Sequence, residues 1–183
     1  MFRISVWHGD LSDSYLKFVT QLGADCIDFG GGNYFPGVAE QGYPDLDELL
    51  KIKKKIHSWG LAINRVTLPD LTEKYMLDQE GGEEELENGC KALQVFAEAG
   101  LPIARQRFAG DVFPWQTLSW RAPHRGGYLS RAESRALAEE DRSIPSAEEL
   151  DAWWAHFHRA FERMGPIAEE GDKMKITKRQ LRR

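Results

Sequence analysis

Hydrophobic residues recur along this chain in two alternating rhythms, and the change from one to the other falls repeatedly at a glycine. Leu46, Leu49, Ile52, Ile56 and Trp59 follow one another at helical spacing, as do Leu86, Cys90, Leu93 and Ala97. A weaker first stripe holds Leu16, Val19 and Leu22, and the strongest runs through Leu150, Trp153, Trp154, Phe157, Phe161, Met164 and Ala168. Two stripes carry start signals: Asp45 as an N-cap with Glu48 after it, and Ser146 with Glu149 as a capping box. Tandem Trp153 and Trp154 read as the packed face of a crossover helix. After each stripe comes a glycine and then a short apolar run: QLG-ADCIDF at Gly23, SWG-LAINRV at Gly60, EAG-LPIARQ at Gly100 and EEG-DKMKIT at Gly171. Glycine suits the residue just past a helix, where a left-handed backbone penalises any Cβ.

The apolar runs predict strands over 3–7, 25–29, 62–67 and 103–108, with a fifth attempted at 173–177. Strands alternating with helices imply a parallel sheet joined by right-handed crossovers. Doubly wound sheets and barrels share this grammar, and two features favour the barrel. Large polar residues alternate at strand ends (Arg65 and Thr67, then Arg105 and Arg107), a parity that fills the upper layer of a barrel interior. No glycine-rich turn leads from a strand straight into a helix, so a dinucleotide fingerprint is missing. Eight units need about 250 residues, and 183 residues supply four helices and at most five strands. The expected fold is therefore α/β, a partial (β/α)8 TIM barrel of about four βα units plus an incomplete fifth strand. Residues 1–172 form that half-barrel and 173–183 a basic tail.

Charge sharpens this division. The net charge is −5, but KMKITKRQLRR at 173–183 holds six basic side chains, leaving 18 basic against 29 acidic residues before it. An acidic body argues against a nucleic-acid surface, which needs a basic patch. No apolar run approaches membrane-spanning length. MFRISVWHGD goes directly into a strand pattern without a secretory signal, so a cytoplasmic location is expected, with Cys26 and Cys90 as packed, unbridged thiols.

In a (β/α)8 enzyme the chemistry sits at the C-terminal ends of the strands and in the loops after them. His8 ends the first strand and can contact substrate or move a proton; the plainer alternative is a histidine hydrogen-bonded at a strand end. Gly30, Gly31 and Gly32 lead into a loop, not a helix, and read as a flexible rim loop. Arg65, Arg105 and Arg107 share an inward parity on adjacent strands. A planar guanidinium pairs with a carboxylate in bidentate fashion, so a sugar-acid carboxylate would serve; the alternative partners are protein carboxylates such as Asp28 or Asp111. A long segment after the fourth strand, including FPWQTLSWRAPHRGGYLSR with Trp115, Trp120, His124, Arg125 and Tyr128, suits a lid over a polyol or a surface excursion. No metal-ligand constellation is evident: His156 and His158 point to different helix faces.

The runs PDLDELLKIKKKIHSWGLAINRVTLPD, GGEEELENGCKALQVFAEAGLPIARQRFAGD, RAPHRGGY and FERMGPIAEEG, in that order, resemble the mannonate dehydratase family over nearly all of residues 1–172. The resemblance implies a xylose-isomerase-type barrel that dehydrates D-mannonate to 2-dehydro-3-deoxy-D-gluconate with manganese or iron, in uronic acid breakdown. It also implies an apolar fifth strand closing on His-Pro, whose histidine ligates the metal. Here Thr177 falls at that place, and Arg65 and Arg107 depart from the polar residues of other members. The resemblance thus leads to the expectation of a chain cut short by a frame change or early stop, without the metal and inactive alone. Self-association through uncovered sheet edges is expected. A sugar isomerase or epimerase on the same barrel, and a non-catalytic sugar-acid-binding module, are the alternative readings.

Overall fold

The computed structural model of the chain describes residues 2–108, 118–134, 146–171 and 175–177. Its elements follow in the order β1 (Ser5–Trp7), α1 (Asp13–Gln21), β2 (Cys26–Asp28), a 3-10 turn (Gly32–Tyr34), α2 (Val38–Gln41), α3 (Leu46–Ser58) and β3 (Ala62–Thr67). Then come α4 (Glu73–Met76), α5 (Gly82–Glu98), β4 (Ile103–Arg105), β5 (Leu118–Pro123), β6 (Leu129–Ser134), α6 (Ala147–Glu170) and β7 (Lys175–Thr177).

Five strands make one sheet in the order β1-β2-β3-β4-β7, every neighbouring pair parallel. Every described helix sends buried side chains into the same core: Leu16 and Val19, Val38, Leu49 and Ile56, Tyr75 and Met76, Leu93 and Phe96, Ala160 and Met164. Ile27, Ile63, Val66 and Ala104 meet them from the sheet. The helices therefore lie on one side, and the other side of the sheet is polar. This is a partial (β/α)8 barrel. No described helix is long and apolar enough to cross a membrane.

The helix boundaries arise as the side chains dictate. The Asp45 carboxylate accepts the Glu48 N–H at 2.9 Å, and Ser146 and Glu149 bond each other's backbone in a reciprocal cap. Gly23, Gly60 and Gly100 adopt φ of 83°, 74° and 66°. Gly171 does not: its φ is −74°. A Cβ there would lie 2.9 Å from that of Ala97, so this glycine serves the close approach of the end of α6 to α5.

Three expectations change. Strands β1, β2 and β4 are shorter than 3–7, 25–29 and 103–108: β1 starts later, β2 loses a residue at each end, and past β4 only the Leu71–Phe108 bridge continues the pairing. The short fifth strand expected at the basic end is present, with Thr177 opposite Arg105. The long segment before α6 contains an antiparallel hairpin, with Trp120 opposite Ala132. The triple-glycine stretch is a packed turn, in which buried Gly32 sits so close to the Leu68 carbonyl that a Cβ would fall 2.1 Å from its oxygen. Asp111, Trp115 and most of the basic tail lie outside the described residues.

Candidate functional site at the C-terminal rim of the sheet

The polar side of the sheet is organised by a bulge. Between Ile27 and Asp28 the register with β3 shifts, so Asp28 faces Arg65 while Ile27 faces Ile63. The extra residue lets Asn64 and Arg65 both reach one carboxylate. Asn64 Nδ2 donates to Asp28 Oδ1 at 2.9 Å, Ser5 Oγ donates to the same oxygen at 2.7 Å, and Arg65 Nη2 lies 3.1 Å from Oδ2. Arg65 Nε is buried without a hydrogen-bond partner among the described residues.

One layer higher, Thr67 and Arg105 sit opposite each other in the ladder. Thr67 Oγ1 donates to the Phe29 carbonyl at 2.7 Å, and Arg105 Nη2 donates to the Gly30 carbonyl at 2.8 Å. Arg107 Nε stands 3.5 Å from Asp70 Oδ1 in the loop after β3. That contact is long and the arginine side chain is 44% exposed, so an incoming anion can compete with it. Burial pushes the Asp70 carboxyl above its ordinary range, and the positive charges of Arg107 and Arg105 oppose the shift. The three arginines thus rise in steps along adjacent strand ends: Arg65 bound to a carboxylate, Arg105 to a backbone carbonyl, Arg107 to a half-desolvated aspartate.

His8 lies beside this array but is turned into the protein. It is 6% exposed, its Nδ1 is 2.7 Å from the Gly9 carbonyl, and its ring packs against Trp7, Phe29 and Tyr34 at centroid distances of 4.4, 5.1 and 4.1 Å. Burial lowers its pKa, with the Gly9 hydrogen bond working against that. A neutral imidazole in an aromatic setting is what results. His124 and Arg125 sit at the hairpin turn, where the His124 N–H donates to the Tyr128 carbonyl at 2.8 Å and the two rings stack at 5.4 Å. Both are exposed, and no hydrogen bond or ion pair among the described residues joins them to the strand-end arginines.

Sequence reasoning missed Asp70, Asn64 and Trp7. The loop signal for Asp70 was present: Pro69-Asp70 directly follows the third strand, a rim position in this fold. The two thiols are buried and unbridged, and burial raises both above the ordinary cysteine value, so neither is poised as a nucleophile.

The donors at this rim do not fit a manganese or iron ion. Asp28 is spent on three donors, the His8 ring is packed away, and the guanidinium groups repel a cation. Among the described residues no three His, Cys, Asp or Glu side chains come together to hold a metal.

A parallel sheet with one helical face and arginines along its strand ends defines a partial (β/α)8 barrel. Solved structures share that fold. Mannonate dehydratase from Streptococcus suis serotype 2 superposes with a TM-score of 0.70 at 21% identity, over 96% of this chain and 53% of that one. D-psicose 3-epimerase with D-tagatose from Clostridium cellulolyticum matches with a TM-score of 0.50 at 8% identity, over 91% of this chain and 50% of that one. The chain spans about half the length of these proteins. No protein-family model and no curated protein matches the sequence.

Proposed function

We propose that this chain carries the carboxylate-holding part of a mannonate dehydratase-like hydro-lyase site, taking a sugar acid such as D-mannonate in hexuronate breakdown in the cytoplasm. The observation behind this reading is Arg105 at the end of β4 and Arg107 just past it, beside the largely buried Asp70. Dehydration of an aldonic acid removes the proton next to the carboxylate and expels the neighbouring hydroxyl, so negative charge accumulates on the carboxylate oxygens. Guanidinium groups fixed at that point stabilise the charge as it forms. Arg65, tied to Asp28, holds the floor below them. These residues are assigned carboxylate binding and no metal-dependent step.

Titration of the purified chain with D-mannonate, followed by calorimetry, tests this. Arg105→Ala and Arg107→Ala are each expected to weaken binding about tenfold or more, the loss typical of one charged hydrogen bond. Neutral D-tagatose should bind far more weakly than the acid. Equal affinity for the two, unaffected by either arginine, would favour the isomerase or epimerase reading.

A further inference from the structure

Trp7 ends β1 on the polar side of the sheet, in register with Asp28. It is 62% exposed, although its neighbours His8 and Phe29 are buried. Its backbone is pinned, since the Tyr15 hydroxyl donates to its carbonyl. The indole leans on the His8 ring at 4.4 Å and 43°, and its N–H has no hydrogen-bond partner among the described residues.

What stands next to the indole matters most. Position 30 is glycine, and a Cβ there would come within 3.2 Å of Trp7 Nε1. The same Gly30 carbonyl accepts from Arg105 Nη2 at 2.8 Å. One bare peptide therefore separates an exposed aromatic ring from a guanidinium group at the rim. A simple carboxylate needs only the guanidinium. A polyhydroxylated carbon chain attached to the carboxylate also offers a row of C–H bonds, which the electron-rich face of an indole attracts, and hydroxyls, which its N–H can meet.

We propose that Trp7 is a specificity-determining platform for the carbon chain of a sugar acid whose carboxylate lies on Arg105, with Gly30 keeping the space between them open. This inference rests on the sugar-acid reading above and adds the discrimination between a sugar acid and a short carboxylate.

The test compares two ligands by NMR-detected titration of the full chain: D-mannonate, and glycolate, a 2-hydroxy carboxylate without the polyol. Trp7→Ala should weaken D-mannonate about tenfold, in the range seen for loss of an aromatic stacking partner, and leave glycolate unchanged. Trp7→Phe, which keeps a ring but no N–H, should recover part of that loss with a wild-type thermal melt. Gly30→Ala should weaken D-mannonate more than glycolate. If Trp7→Ala leaves D-mannonate unchanged, or weakens both ligands equally, the platform is wrong while the carboxylate site stands. If the wild-type chain binds glycolate and D-mannonate with the same affinity, the platform is also refuted. If it binds neither, the sugar-acid reading fails and the platform falls with it.

Discussion

At the scale of single residues, the rim is a set of polar groups whose partners decide their availability. Asp28 accepts from Ser5 and Asn64 and forms an ion pair with Arg65, which makes it a strut more than a reactive group. His8 shows the opposite device, a titratable ring placed where charging it is costly. Its folded pKa lies below the ordinary value of 6.5 because burial penalises the imidazolium. The unfolded chain therefore binds the proton more readily, and the stability present above 6.5 is lost as pH falls through the lowered folded value. Urea unfolding of the wild type between pH 7.5 and 5 should show this loss, and His8→Gln, which cannot titrate, should flatten it. An unchanged slope in the variant would assign the acid sensitivity to other groups. Asp28 was one of the partners the sequence offered for Arg65, since a buried guanidinium needs an anionic or hydrogen-bonded partner. The bulge at Asp28 was not legible there, because a one-residue shift in pairing leaves no mark in hydrophobic spacing.

At the scale of elements, helices were read well and loops poorly, for a physical reason. A helix writes its buried face at intervals of three and four residues, and its ends through local side chains such as Asp45, Ser146 and Glu149. A turn is fixed by what it packs against. Gly30-Gly31-Gly32 suggested a mobile loop, yet Gly32 is buried against the Leu68 carbonyl at the end of β3. A methyl group there meets backbone, which cannot swing aside. Gly32→Ala is thus expected to destabilise the chain by about 1–3 kcal/mol, the range for overpacking, read as a lower urea midpoint. Gly31→Ala, with nothing within 4 Å of its Cβ, is the control and should cost much less. The hairpin was missed because its alternation over 118–134 is mostly polar and broken by Pro123.

At the scale of the molecule, the sheet has two ends. Among the described residues β1 pairs only with β2, and β7 only with β4. Unpaired strand edges beside an exposed Trp7 and Ile4 favour pairing between copies. Sedimentation velocity over a range of chain concentrations should show the average mass rising with concentration. A monomer throughout would mean that the edges are protected in solution. Parallel order was readable from the alternation of strands and helices, and the one-sided helical layer from the polar strand ends and the missing glycine-rich turn. The fifth strand attempted at 173–177 was readable only as an incomplete one, because its basic composition gives little apolar incentive, and it pairs for three residues with Ile103–Arg105.

The strand order has a consequence for how the chain comes together in time. Each of β2, β3 and β4 lies beside the strand made just before it, so the sheet can grow by one neighbour at each step as the polypeptide emerges from the ribosome, without rearranging what has already formed. The exception is the last addition. Between Arg105 and Lys175 the chain makes the hairpin and all of α6 before it returns, and closing that long excursion carries the largest loop-closure entropy cost among the sheet connections. The docking of α6 and its trailing strand is thus the addition expected to come last.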